Sequence, residues 1–236
     1  MLSRVRTAAL WELEAFPVEC EIDVGPGLPG FVLVGLPDTA AREARERLWP
    51  AFRNAGFQVP DRRVTVNLAP AERRKEGASM DLAVALGILI ATSQAPAERL
   101  GDTAVIGEVA LDGALRPVRG TLALAESAWR AGARTLLCAG AGAPEAALVA
   151  PLEVIAVDRL VDAVAWLRGE ERTRCAPAPA DPFDPNVGDL ADVRGQTVAR
   201  RVLEIAAAGG HHVLLVGPPG AGKSMLARRL PSILPR

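Results

Sequence analysis

His211-His212-Val213-Leu214-Leu215-Val216-Gly217-Pro218-Pro219-Gly220-Ala221-Gly222-Lys223-Ser224 is the stretch on which the reading of this chain turns. Its last eight residues fit G-x-x-x-x-G-K-[ST], the phosphate-binding loop of nucleotide triphosphatases. Val213 to Val216 precede the loop as a short apolar run, the pattern of a buried parallel strand. Met225 to Leu230 continue it as the start of a helix. Glycines let the backbone wrap around phosphate and aim N–H groups at it. Lys223 offers a point charge to the β- and γ-phosphates, and Ser224 offers a hydroxyl to Mg²⁺. The candidate nucleotide site is therefore Gly217, Pro218, Pro219, Gly220, Ala221, Gly222, Lys223 and Ser224. ATP is its expected ligand, Mg²⁺ its expected cofactor, and Ser224 the expected metal ligand. The class this predicts is α/β.

The whole chain has 236 residues, of which 50% are hydrophobic, and a net charge of −1. That length has room for one large domain or two small ones. No stretch reaches the roughly 18 apolar residues that span a bilayer. The opening MLSRVRTAALWELEAF lacks the uninterrupted apolar core of a signal peptide. A cytoplasmic protein with no membrane partner is expected. Cys20, Cys138 and Cys175 are odd in number and widely spaced, which reads as reduced thiols rather than a zinc site. His211 and His212 are the only histidines, and neighbours on a strand face opposite ways. Near-neutral charge gives no global nucleic-acid signature. Lys75 and Lys223 are the only lysines, so any chemistry that needs a lysine has two candidates.

Upstream of the loop, Thr197 to Ala208 has the period of an amphipathic helix, and Gly209-Gly210 leads from it toward Val213. Residues 171–188 are proline-rich and aperiodic, as in a semi-rigid linker, and proteolysis is expected to begin after about Arg172. Residues 1–170 read as a mixed α/β domain with its own core. Val5 to Leu10 and Val18 to Val24 alternate as half-buried strands. Phe31 to Val34 and Val64 to Leu68 add two more. Asp38 is placed to cap a helix from about Thr39 to Ala55, with Arg42, Glu43, Arg45, Glu46 and Arg47 on a solvated face and Pro50 kinking or dividing it. Ser79 to Ala91 is nearly all apolar and reads as a buried helix capped by Ser79. Asp112-Gly113 marks a hairpin between Ala104–Val109 and Ala114–Val118. Thr121–Ala131, Glu145–Val149 and Leu160–Leu167 read as helices, with short strands at Thr135–Cys138 and Val154–Val157. Trp11, Trp49, Trp129 and Trp166 fall in separate elements, as core or interface residues do.

Several segments carry a resemblance. They are Gly35-Leu36-Pro37-Asp38-Thr39-Ala40, Asn67-Leu68-Ala69-Pro70-Ala71, Lys75-Glu76-Gly77-Ala78-Ser79-Met80-Asp81-Leu82 and Gly107-Glu108-Val109-Ala110-Leu111-Asp112-Gly113. Asp192-Val193-Arg194-Gly195-Gln196 and Leu203 to His211 complete the set. In this order they resemble the YifB/ComM family of Mg-chelatase-like AAA+ ATPases over essentially the whole chain. The resemblance implies a Lon-protease-like domain at 1–170, a linker at 171–188 and the first part of an AAA+ module at 189–236. It further implies hexameric homo-oligomers and, for ComM members, DNA branch migration in natural transformation. No acidic Walker B strand, sensor or arginine finger follows Ser224, so these 236 residues are expected not to hydrolyse ATP unaided.

The Lon-like resemblance raises proteolysis as a rival. Ser79 stands at the nucleophile position, and a Ser–Lys dyad needs an unprotonated lysine beside it. Leu122 stands where that lysine would be, Lys75 belongs to the loop before Ser79, and arginine does not lose its proton. An inactive accessory domain is expected. Arg62-Arg63 and Arg73-Arg74-Lys75 are candidates for DNA phosphate contact or, alternatively, solvated loop edges. Two more functions compete with DNA remodelling: an assembly or docking module, and a motor acting on a protein complex.

Overall fold

The structure is a computed structural model that describes residues 1–11, 14–170, 175, 177 and 188–234. The chain divides into two units, Met1–Pro179 and Ala180–Arg236. The linker expected at 171–188, and the cleavage expected after Arg172, lie outside the described residues except for Cys175, Pro177 and Gly188.

The first unit runs β1 (Leu2–Trp11), β2 (Glu14–Gly25), β3 (Gly30–Val34), α1 (Thr39–Arg42), α2 (Ala44–Asn54), β4 (Arg63–Ala69) and α3 (Asp81–Ala91). It continues with β5 (Thr103–Ile106), β6 (Glu108–Val109), β7 (Leu115–Arg116), α4 (Thr121–Arg130), β8 (Thr135–Ala139), α5 (Ala143–Ala146), β9 (Glu153–Val157) and α6 (Leu160–Leu167). Seven strands form one sheet in the order β3-β4-β2-β1-β5-β8-β9. The β1–β2 and β2–β4 pairs are antiparallel, and the other four are parallel. The fold is therefore mixed α/β with a mostly parallel sheet.

Residue patterning explains the two halves of that sheet. In β2, Phe16, Val18, Cys20, Ile22 and Val24 are buried, while Pro17, Glu19 and Asp23 are exposed. Such alternation suits a sheet with one covered face. β5 is buried at every position: Val105 enters the core beneath α3, whereas Ala104 and Ile106 enter a second core with Leu124 and Ala128 of α4. Continuous apolar character is what a strand covered on both faces requires.

α3 is buried along all eleven residues and packs on β1 and β2. Gly87 makes the approach possible, because a Cβ there would fall 2.2 Å from Ile22 Cδ1. The Ser3 hydroxyl donates to the Gly87 carbonyl at 2.7 Å, satisfying a polar group inside the core. The helix expected over Thr39–Ala55 is divided at Glu43 rather than at Pro50, which lies inside α2. Leu48, Ala51 and Phe52 around that proline are buried, so packing holds the helix together across it. The helix expected at Glu145–Val149 begins earlier and ends sooner, as the single turn of α5. The hairpin at Asp112-Gly113 is also shorter, with two residues paired on each side. Trp49 stacks on Phe52 and Trp166 is buried, while Trp11 and Trp129 are exposed. No described helix is long and apolar enough to cross a membrane.

The second unit holds α7 (Thr197–Gly209) and α8 (Lys223–Arg229), joined through a segment without regular structure. Leu190, Val193, Leu203 and Leu226 form its small core, with Val213 and Leu215 packed on it.

Candidate nucleotide-binding site

The phosphate-loop motif runs from the end of that segment into the first turn of α8. The strand expected at Val213–Val216 is irregular, without a ladder partner among the described residues, and so is not a strand. Its alternation is nevertheless clear. Val213 and Leu215 face the small core, whereas Leu214 and Val216 are 87% and 85% exposed. Residues of this kind on both faces suit a strand covered on both sides, and one side here has no cover.

Gly217, Pro218, Pro219 and Gly220 form the exposed first half of the loop. Gly220 and Gly222 both adopt φ of +80°, a conformation that disfavours any residue with a Cβ. These two reversals bracket Ala221 and deliver Lys223 and Ser224 to the first turn of α8. At a helix start the first N–H groups have no acceptor inside the helix, and the helix dipole favours negative charge there. Lys223 Nζ donates to the carbonyls of Gly217 and Pro218 at 2.7 and 2.8 Å, so the ammonium is folded onto its own loop. Ser224 is exposed at the same helix end. Glycine backbone, an ammonium and a hydroxyl converge, and this donor set fits a nucleotide phosphate with its Mg²⁺.

The first unit places the rival residues differently from the sequence reading. Ser79 does not cap α3: the cap position is Met80, and Ser79 Oγ donates to the Ala8 carbonyl at 3.5 Å. The helix starts two residues later than the apolar run suggests, because the Ser79 carbonyl accepts from Gly107 N–H at 2.8 Å. Lys75 is fully buried and its ammonium donates to the Pro70 carbonyl. It is thus withdrawn from the surface, and of the basic residues expected at DNA phosphates only the arginines are exposed. Burial lowers the Lys75 pKa, opposed by the neighbouring Cys20, whose own burial pushes its thiol up to about 12. The Leu122 side chain is exposed, and its N–H donates to Glu145 Oε1 at 3.0 Å. A lysine at that position would keep its full charge in water.

Two features escaped sequence reasoning. The Asp38 carboxylate does cap α1, accepting from Ala41 N–H at 2.7 Å, but its other oxygen accepts from Gly77 N–H at 3.0 Å. Together with the Pro37–Lys75 bridge, this ties the Gly35–Ala40 and Lys75–Leu82 segments to each other. Arg47, expected in solvent, makes two hydrogen bonds to buried Asp81, Nε–Oδ2 at 2.6 Å and Nη2–Oδ1 at 2.9 Å. No local signal joins residues 34 positions apart; an acidic residue inside an all-apolar helix was the available clue.

The chain thus joins an α/β unit to a glycine loop that opens a helix, the arrangement of a P-loop nucleotide-binding protein. Residues 20–141 match the family described as subunit ChlI of Mg-chelatase, and residues 189–236 match the description magnesium chelatase, subunit ChlI. The chain belongs to this Mg-chelatase ChlI family. An uncharacterised protein of Mycobacterium tuberculosis is 44% identical over 99% of this chain and 46% of its own length. YifB of Escherichia coli is 41% identical over 99% of the chain and 46% of its own length. The competence protein ComM of Haemophilus influenzae is 41% identical, over 99% and 47% respectively. The chain therefore spans about half the length of the curated relatives it matches.

Proposed function

We propose that the whole protein is an ATP- and Mg²⁺-dependent AAA+ motor that remodels DNA, acting as a cytoplasmic homo-oligomer. Residues 1–170 would be its proteolytically inactive accessory domain, and residues 189–236 would carry its phosphate-binding loop. The observation that carries the reading is the pair of left-handed glycines around Ala221, which brings Lys223 and Ser224 to one helix start. Family membership supports ATP and Mg²⁺ as ligands, and the name of the H. influenzae relative supports a role in competence, hence DNA as substrate.

Bound Mg-ATP would supply the phosphoanhydride whose cleavage drives the motor. The chain's part is to hold it. Backbone N–H groups of Gly220, Gly222, Lys223 and Ser224 would meet the phosphate oxygens, and Lys223 would exchange its two carbonyl partners for a stronger anionic one. Ser224 would give its hydroxyl oxygen to Mg²⁺. The expected result is ATP hydrolysis by the full-length protein that rises with DNA and is lost in Lys223→Ala. Hydrolysis that DNA leaves unchanged would favour a protein complex as substrate. Hydrolysis that survives Lys223→Ala would refute the loop assignment.

Proteolysis finds no support in the pairing of its residues. Ser79 is bonded to the Ala8 carbonyl and Lys75 to the Pro70 carbonyl, so neither activates the other. A fluorophosphonate probe is expected to leave Ser79 unlabelled. Labelling abolished by Ser79→Ala would make the protease reading the leading one.

A further inference from the structure

Gln196 stands just before α7, 25 residues ahead of Ala221 in the phosphate loop, and has no place in that loop's motif. Two observations set it apart. Its backbone is left-handed, with φ of 50° and ψ of 37°, a conformation that costs a residue with a Cβ about 1 kcal/mol or more. Its side chain is exposed, yet the amide Nε2 donates to the Ala221 carbonyl at 3.3 Å. Ala221 is the residue between the two left-handed glycines.

We infer that Gln196 is a positioning residue that orients the Ala221–Gly222 peptide for phosphate. The reason lies in peptide planarity. The carbonyl of Ala221 and the N–H of Gly222 belong to one rigid unit and point in opposite directions. Holding the carbonyl toward Gln196 therefore turns the Gly222 N–H away from Gln196, where an anion can take it. Gly222 supplies one of the two torsions that turn that peptide, so its orientation is unusually free, since Gly populates both signs of φ. A single anchored carbonyl removes the choice before ligand arrives, which is preorganisation. The left-handed turn at Gln196 is what brings its side chain back toward the loop while its own carbonyl starts α7 by accepting from Arg200 N–H at 2.9 Å.

This inference rests on the nucleotide-binding reading of the loop, and its test separates the two. Binding of fluorescent N-methylanthraniloyl-ADP to the full-length protein is measured for the unaltered chain, Lys223→Ala, Gln196→Gly and Gln196→Met. Glycine removes the amide and relieves the backbone strain; methionine removes the amide and keeps both length and strain. Both Gln196 variants are expected to bind ADP about three- to ten-fold more weakly, the worth of one hydrogen bond. The thermal midpoint of Gln196→Gly is expected to stay unchanged, whereas a merely structural role would move the midpoint and not the affinity. Unchanged affinity in either Gln196 variant, beside weakened binding in Lys223→Ala, would overturn the positioning role alone. Absence of ADP binding by the unaltered protein would overturn the loop reading as well.

Discussion

Replacing Arg47 by alanine is expected to destabilise the first unit by about 3–5 kcal/mol near neutral pH, the cost of leaving a buried charge without its partner. Asp81 is only 2% exposed, and beyond Arg47 its carboxylate has, among the described residues, a single long contact, Val109 N–H at 3.5 Å. Arg47 itself is held by Asp81 and by the Ala40 carbonyl at 2.8 Å. Burial raises the Asp81 pKa above the ordinary carboxylate range, and the hydrogen bond and charge of Arg47 pull it back. A carboxyl whose folded pKa is raised binds its proton more tightly in the folded state. Stability from this group is therefore greatest below the unfolded value of about 3.9 and falls as pH rises to the folded value. Without Arg47 the folded value rises further and the falling window widens. The loss in Arg47→Ala should accordingly be small near pH ~4 and grow toward pH ~7.5, compared with the unaltered chain at the same pH. Urea unfolding followed by tryptophan fluorescence is the measurement. Trp11, Trp49, Trp129 and Trp166 all lie in the first unit, so the signal reports that unit alone. Replacing both partners, Arg47→Met with Asp81→Leu, should cost less than Arg47→Ala. A loss under about 1 kcal/mol at neutral pH would mean that the pair behaves as a surface ion pair.

Gly35→Ala is expected to cost a comparable amount, about 4 kcal/mol, from two sources of about 1–3 kcal/mol each. Gly35 has φ of +97°, which strains any residue with a Cβ. A Cβ there would also fall 2.2 Å from the Leu68 carbonyl oxygen and 2.9 Å from Leu68 C and N. Those atoms are backbone in β4, paired with β2 on one side and β3 on the other, so they cannot withdraw without disturbing both ladders. Gly56→Ala provides the contrast. It shares a positive φ, +78°, but nothing lies within 4 Å of the new Cβ, so strain of about 1 kcal/mol is all that is expected. The same fluorescence-detected unfolding compares them. Equal losses for the two variants would show that the contact with Leu68 is not limiting.

The parts of the fold legible in the sequence are those specified by local pattern. Period-two burial in β2, the fully apolar α3 and the cap at Asp38 all have causes within a few residues. α6 occupies Leu160–Leu167, the same residues its apolar pattern marks. The pairings that stitch the first unit have causes far apart in the chain. Asp81 meets Arg47 across 34 residues and Asp38 meets Gly77 across 39, and nothing in either neighbourhood encodes its partner. Ser79 misleads for a related reason. A serine before an apolar run suits a cap, but the Gly107 and Ala8 backbones claim that residue first. At the candidate site the motif itself is plain in the sequence, since the two glycines that must turn left-handed are part of it. The contribution of Gln196 was not, because only the folded second unit brings residue 196 beside residue 221.

The Gly217–Ser224 loop is proposed to bind a nucleotide through Lys223 and Mg²⁺. Equilibrium titration of the full-length protein with ATP, with and without Mg²⁺, tests it most directly. The expected result is saturable binding that Mg²⁺ strengthens, that Lys223→Ala abolishes or weakens by at least about ten-fold, and that Ser224→Ala makes insensitive to Mg²⁺. Binding of equal strength in the unaltered protein and in Lys223→Ala would contradict it.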